Sequence, residues 1–371
     1  MTSAFVRPDH HGDALCNLLP SVAARLDDTD PVIDVPRASK YVVLLVDGLG
    51  WDVLHAHADY ADRLLTLDAR PLTCSVPSTT ACSLTTLGTG RTPGRHGIVG
   101  YTFREPRSGE ILNALTWEHG PDDVGAFRQE PTVFQRLAAR DVRSAAVTLA
   151  RFDGTALTQC AFDGTALCPR PEDEGDVEGT VAAVAEALVD HDVVYCYQRL
   201  LDHAGHTSGV GSWQWLAQLE AADELAAGIA ALADADTCVL VTGDHGMVNV
   251  PPEHRLVAED PALAGFDAIG GEGRFRQLYT DDPRTLAWRW RTVLGERAEV
   301  WLRDEAIEAG WYGDVVTDRT RARIGDVLVA MREDWAVMSL TFQGEYTLVG
   351  MHGSLTHAEM VVPLLQAGGT R

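Results

Sequence analysis

Lysine is nearly missing from this chain: Lys40 is the only one among 30 basic residues, which face 54 acidic ones. The resulting formal charge of −24 repels polyanions, so neither a nucleic-acid polymer nor an anionic membrane is an expected partner. Long apolar runs are also lacking, and none approaches the roughly 18 residues that cross a bilayer. The opening stretch MTSAFVRPDHHGDALCNLLP lacks the charged start, apolar core and small-residue cleavage site of a leader, and a cytoplasmic location is expected. Cysteine is sparse, with seven residues and no CxxC pair. An odd, scattered set fits a reducing compartment and buried thiols better than a disulfide framework.

What is present is an ordinary globular composition, 46% hydrophobic and 23% charged over 371 residues. That length predicts two domains or one large α/β domain with an insertion. Short valine-rich runs recur as YVVLLVDGLG, VRSAAVTL, DVVYCYQ and DTCVLVTGD, each too short for a helix and apolar enough for a strand buried on both faces. Helical patterns separate them at Thr132–Ala139, Gly179–Leu188 and Trp213–Leu232. This alternation predicts a mostly parallel sheet with helices on both faces. Residues 251–347 carry their own strand and helix signals, including RFRQLYT, TLAWRWRTVL and GDVLVAM. They are expected to form an inserted α+β cap subdomain, with 1–250 and 348–371 forming the core. The acidic stretch Glu172–Glu178 is expected to be a solvated connection.

Asp47 follows the first strand, Asp202 lies just past DVVYCYQ, and Asp244 follows TCVLVTG. In a parallel α/β sheet the strand ends open on one crevice, so the three carboxylates converge there. His206 stands four residues after Asp202, His245 is adjacent to Asp244, and His352 sits beside a glycine in MHGSL. Mixed carboxylate and imidazole donors suit zinc first, then manganese or iron. The set suffices for two ions, expected about 4 Å apart, of the kind that clamp phosphorus between attacking and leaving oxygens. Upstream, SVPSTTACSLTTLGTG places eight hydroxyls in sixteen residues. Composition alone reads it as a loop entering a helix cap and does not single out a reactive hydroxyl.

The segments LLVDGLG, VPSTTACSLTTLGTGRTPGRHGIVGY, LLDHAGHTSG, VTGDHGM and GMHGSLTHAEMVVPLL together resemble the alkaline phosphatase superfamily, and most closely its nucleotide pyrophosphatase/phosphodiesterase branch. They span about Tyr41 to Leu365 in the branch's order. The resemblance implies a three-layer α/β sandwich and a metal-dependent phosphodiesterase or nucleotide pyrophosphatase acting on a small phosphoester or nucleotide. Counting ten residues back from Gly90 makes Thr80 the nucleophile and leaves Thr79 to the turn or cap. By the same transfer Asp47, Thr80, Asp244 and His245 hold one metal, and Asp202, His206 and His352 hold the other. A phospho-threonine intermediate and its hydrolysis by water on the second metal follow from the resemblance. His96 is expected to orient the nucleophile loop. Where the branch has an asparagine after the nucleophile this chain has Ser83, so the oxyanion contact falls to that hydroxyl or to the Ala81 amide.

Two other reactions share this core. A phosphomonoesterase needs extra cations, for which Arg274 and Arg276 are the candidates, and a phosphonate hydrolase would use the same threonine and metals. A sulfatase is excluded because Cys74 and Cys82 lack the Cys-x-Pro-x-Arg setting. The non-enzyme alternative is a metal-stabilised binding protein without turnover.

Overall fold

The computed structural model describes residues 5–370, so residues 1–4 and 371 of the expected core lie outside the described residues. The strands that frame the site are β1 (Lys40–Val46), β2 (Asp68–Thr73), β3 (Ser144–Thr148), β4 (Ala166–Pro169), β5 (Val193–Gln198), β6 (Thr237–Thr242), β7 (Ala268–Glu272), β8 (Phe275–Tyr279), β9 (Ala298–Leu302), β10 (Val327–Met331) and β11 (Val361–Gly368). The accompanying helices are α1 (Leu18–Leu26), α2 (Thr80–Thr89), α3 (Val133–Ala138), α4 (Val177–Asp190), α5 (Leu200–Ser208), α6 (Trp213–Ala230) and α7 (Pro283–Leu294).

A seven-stranded sheet runs in the order β2-β11-β6-β1-β5-β3-β4. Pairing is parallel from β6 through β4, and β11 alone runs against both of its neighbours. The fold is the expected α/β sandwich with a mostly parallel sheet. Its layers follow from the two-residue alternation of a strand. Tyr41, Val43 and Leu45 of β1 pack toward Val22 of α1, Leu84 and Leu87 of α2 and Phe134 of α3. Val42, Leu44 and Val46 face the opposite way, toward Val184 of α4 and Leu219 and Ile229 of α6. Burial on both faces explains why these strands read as unbroken apolar runs.

Within residues 251–347, β7 to β10 form a separate antiparallel sheet in the order β7-β8-β10-β9. One face packs on α7 through Leu278, Val327, Val329 and Trp290. The other presents Phe275, Leu328 and Ala330 to the main core. This small sheet is thereby fixed against the large one, with the end of β7 directed at the crevice.

Candidate metal centre

Three neighbouring parallel strands each bring one carboxylate to their carboxyl ends. Asp47 is the first residue after β1, Asp244 is the second residue after β6, and Asp202 lies in the first turn of α5, which β5 feeds. The chain must turn sharply after Asp47, and Gly48 does so at φ +76°, where a Cβ would sit 3.0 Å from the Cα of Asp202. Only glycine permits that approach without strain. His352 arrives from the far end of the sequence beside Gly353, at φ +122°. The Gly353 carbonyl accepts from the Ser78 amide at 3.2 Å, which ties this loop to the one preceding α2.

The six side chains form two groups, Asp47 with Asp244 and His245, and Asp202 with His206 and His352. Within the first, His245 Nε2 is 3.4 Å from Asp244 Oδ2 and 3.6 Å from Asp47 Oδ1. Thr80 Oγ1, at the first turn of α2, lies 3.1 Å from the same nitrogen. Within the second, His206 Nε2 is 3.4 Å from Asp202 Oδ2 and 3.3 Å from His352 Nε2, while His352 Nε2 is 4.0 Å from Asp202 Oδ1. Four ligands held tetrahedrally at about 2.0–2.1 Å from a zinc ion stand about 3.3–3.4 Å apart. Three of these six separations match that edge, and the 3.1 and 3.6 Å ones lie within about 0.3 Å of it.

Hydrogen bonding aims the donors inward. Each imidazole engages a main-chain carbonyl through Nδ1, His206 with Gly350 at 2.8 Å, His245 with Gly246 at 3.1 Å and His352 with Ser78 at 3.0 Å. A ring donating from Nδ1 presents the lone pair of Nε2, the form that binds a metal. The carboxylates follow the same logic. Asp47 accepts from the Tyr197 hydroxyl through one oxygen, and Asp244 accepts from the Gly48 and His245 amides, both at 3.0 Å, through one oxygen. Asp47 Oδ1, Asp244 Oδ2 and Asp202 Oδ1 are buried without a hydrogen-bond partner. Buried carboxylate oxygens left unpaired are costly, and a shared cation is what satisfies them. The residues present therefore fit two divalent ions.

The electrostatics agree. Burial, then repulsion from Asp244 and Asp202, pushes the Asp47 carboxyl well above the usual carboxylate range, and burial also raises Asp244. Burial, with His245 and His206 nearby, holds the His352 ring well below its ordinary value. A neutral His352 ring and crowded carboxylates form a site short of positive charge.

Other expected residues are placed differently. Thr79 does occupy the position preceding α2, but its hydroxyl makes no cap; it acts on the Glu272 carboxyl, which burial raises well above the usual carboxylate range and Thr79 partly lowers. Ser83 is fully buried with its hydroxyl 2.9 Å from Ser75, turned away from the crevice, so it offers no oxyanion contact. Ala81 lies in the first turn of α2, where amides lack an intrahelical acceptor. Arg274 and Arg276 are not substrate contacts, because both are fully buried. Arg274 is clamped to Glu359 at 3.0 and 2.6 Å, and Arg276 is paired in the same forked manner with Glu345. Arg274→Met would strand the Glu359 charge and should cost about 3–5 kcal/mol. Urea denaturation of metal-loaded protein measures this, and a loss below about 1 kcal/mol would show that the pair matters little. His96 is buried and 2.9 Å from Thr86 Oγ1 on α2. Its ring is held neutral, at about 3, by burial with Arg323 and Arg128 adding to it.

A cavity of about 960 Å³ opens on the two groups and includes Asp47, Thr80, Asp202, His206 and His352 in its lining. Its walls add Tyr197, whose hydroxyl holds Asp47, and Glu272, whose carboxylate is 3.5 Å from His352 Nδ1. Neither stood out in the sequence. Tyr197 looks like any alternating strand residue, although DVVYCYQ places it five residues before Asp202, and Glu272 reaches the site only through the pairing of β7 with β8.

Residues 41–355 match the family model described as type I phosphodiesterase / nucleotide pyrophosphatase. Human ectonucleotide pyrophosphatase/phosphodiesterase 5 has a similar structure, with a TM-score of 0.67, 17% identity and coverage of 89% of this chain and 88% of that one. A murine counterpart, an inactive threonine-to-alanine form in complex with AMP, gives 0.66 at 16% identity, covering 89% and 88%. Phosphonoacetate hydrolase from Sinorhizobium meliloti, in complex with phosphonoformate, gives 0.67 at 20%, covering 89% and 90%. No curated protein matches the chain.

Proposed function

Because this chain belongs to the type I phosphodiesterase/nucleotide pyrophosphatase family of phosphoester hydrolases, we propose that it is a metal-dependent phosphodiesterase whose nucleophile is Thr80. The observation that carries the reading is the Thr80 hydroxyl, set 3.1 Å from His245 Nε2 at the start of α2 and facing the cavity. Asp47, Asp244, His245 and Thr80 would hold one divalent ion, and Asp202, His206 and His352 the other. Two such ions, zinc by its fit to mixed oxygen and imidazole donors, would lower the hydroxyl pKa and screen the phosphoryl oxygens. Three carboxylates and the Thr80 alkoxide offset their charge, so a monoanionic diester meets a nearly neutral site.

Thr80 Oγ1 attacks phosphorus, the bond from phosphorus to the leaving oxygen breaks, and that oxygen takes a proton from solvent. The α2 dipole and the Ala81 amide favour the phosphoryl anion at this helix end. Water then attacks the phospho-threonine and releases phosphate monoester and free Thr80. Nucleotide diesters are the favoured class, supported by the family and by the AMP held by the murine relative. A phosphonate is the second reading, favoured by the likeness to phosphonoacetate hydrolase. Seven unpaired cysteines, six of them buried, support a cytoplasmic setting. No helix among the described residues is long and apolar enough to cross a membrane.

Metal-replete protein should hydrolyse bis-p-nitrophenyl phosphate at least about tenfold faster than p-nitrophenyl phosphate, and acid quench should trap phosphate on Thr80, read by peptide mass spectrometry. Faster monoester turnover would reverse the substrate class. Exclusive turnover of phosphonoacetate would select the phosphonate reading, and metal-loaded protein inert to all three would support a binding protein.

A further inference from the structure

The cavity has one cationic corner, away from the metal ligands. Arg151 lies in the short turn after β3, and Arg199 immediately precedes α5; both line the cavity. The two guanidinium groups converge on a single oxygen of Glu174, Arg199 at 2.6 Å and Arg151 at 2.8 Å. Glu174 belongs to the acidic stretch expected to be solvated, yet its side chain is only 11% exposed. Arg170, itself buried, holds that stretch in place by donating to the Glu174 carbonyl and to the Tyr197 carbonyl, each at 2.9 Å.

This pairing is incomplete. Glu174 Oε2 and Arg199 Nε are both buried without a hydrogen-bond partner, and two cations share one buried carboxylate. Glu172, 3.6 Å from Arg151 and 67% exposed, adds little in high dielectric. A residual positive charge therefore sits in the cavity wall of a protein with net charge −24. Guanidinium forks match the paired oxygens of carboxylates and phosphates. Between this corner and the ligands lies an aromatic wall: Arg151 stands over the Phe152 ring at 5.3 Å, Phe152 and Tyr197 have centroids 6.3 Å apart, and Tyr197 holds Asp47.

We propose that Arg151 and Arg199 form a subsite for a second anionic group of the substrate, joined to the scissile phosphoryl by a planar or apolar spacer lying along Phe152 and Tyr197. Glu174 is the resident counter-anion that yields one guanidinium fork when that group arrives. The proposal rests on the hydrolase reading for what is cleaved, while the recognition itself is a binding property of this corner. Carboxylate and phosphate share the chemistry.

Three matched aryl phosphodiesters that differ only in a distal carboxylate, phosphate or uncharged amide test it on zinc-loaded protein. The ratio of kcat/KM for each charged diester over the amide should exceed one, and the larger ratio names the group. Arg151→Gln should lower that ratio at least tenfold, and Arg199→Gln should do likewise with metal content measured alongside, because Arg199 adjoins α5. Glu174→Gln should raise the ratio at least threefold. Opposite movement by the arginine and glutamate variants is what a purely structural cluster would not give. Ratios at or below one in the wild type, or unmoved by both arginine changes, overturn the subsite. The same diesters are titrated onto metal-loaded Thr80→Ala protein. Preferential binding of the charged diesters without wild-type turnover of any of them would overturn the hydrolase reading and keep the subsite; equal binding of all three would overturn the subsite whether or not they are hydrolysed.

Discussion

Replacing Thr80 by alanine should leave both metal ions bound and cut diester turnover by about a thousandfold or more, because it removes the attacking oxygen but leaves six protein ligands. Thr80→Ser keeps a hydroxyl on the same helix turn and should retain partial activity. Thr79→Ala is the control for the neighbouring position. It precedes α2 and interacts with the Glu272 carboxyl, so the expected loss is on the order of 1 kcal/mol of stability with a far smaller effect on rate. Rates at saturating zinc, metal content and thermal midpoints are measured on each variant. An active Thr80→Ala beside a dead Thr79→Ala would move the nucleophile by one residue and undo the arrangement described above.

The second large effect is on stability. Chelation at pH 7.5 should lower the thermal midpoint by about 8 °C or more, since each of two ions at about a thousand times its Kd contributes roughly 4 kcal/mol and, for a chain of this length, each kcal/mol moves the midpoint about 1.3 °C. Near pH 5 the drop should be much smaller. In the metal-free fold Asp47 and Asp244 are raised, by burial first in both cases and for Asp47 by the neighbouring carboxylates next. The folded chain then holds protons that the unfolded chain releases. Stability of the chelated protein is fully present below the ordinary carboxylate range and is lost as pH climbs through the raised values. Bound metal removes that loss at neutral pH. Asp244→Asn should stabilise the chelated protein at pH 7.5 while reducing its response to zinc. Equal chelation shifts at pH 5 and pH 7.5 would mean that carboxylate crowding is not what the metals relieve.

Much of this was legible in the sequence because it depends on period and position. Valine-rich runs just upstream of Asp47, Asp202 and Asp244 announce strands buried on two faces, and the parallel sheet gathers their ends. The histidines near them in sequence follow automatically. His352 is the harder case, placed by a glycine and by a loop anchored to Ser78, and a lone His-Gly would not have revealed it without the accompanying motifs. What the sequence hid are partners set by long-range pairing. Arg274 and Arg276 look like free cations beside a glycine-rich turn, yet at the entry to β8 and within its first residues they are buried against Glu359 and Glu345. Glu174 sits in a stretch whose composition reads as solvent-facing, and only the convergence of Arg151, Arg170 and Arg199 draws it inward. Thr79 has the composition of a cap, but its hydroxyl caps nothing.

The position of β11 has a consequence for how the chain comes into being. This strand, Val361–Gly368, does not lie at an edge; it is inserted between β2 and β6. During synthesis β2 and β6 emerge long before it and wait, with unpaired edges of the kind that invite association with other chains. At about 5–20 residues per second that wait, counted from β6, is on the order of ten seconds. His352 emerges only shortly before β11, so the ligand set and the sheet are completed almost together. In a nascent chain the candidate ligand set is therefore completed only in the last moments before the sheet can close.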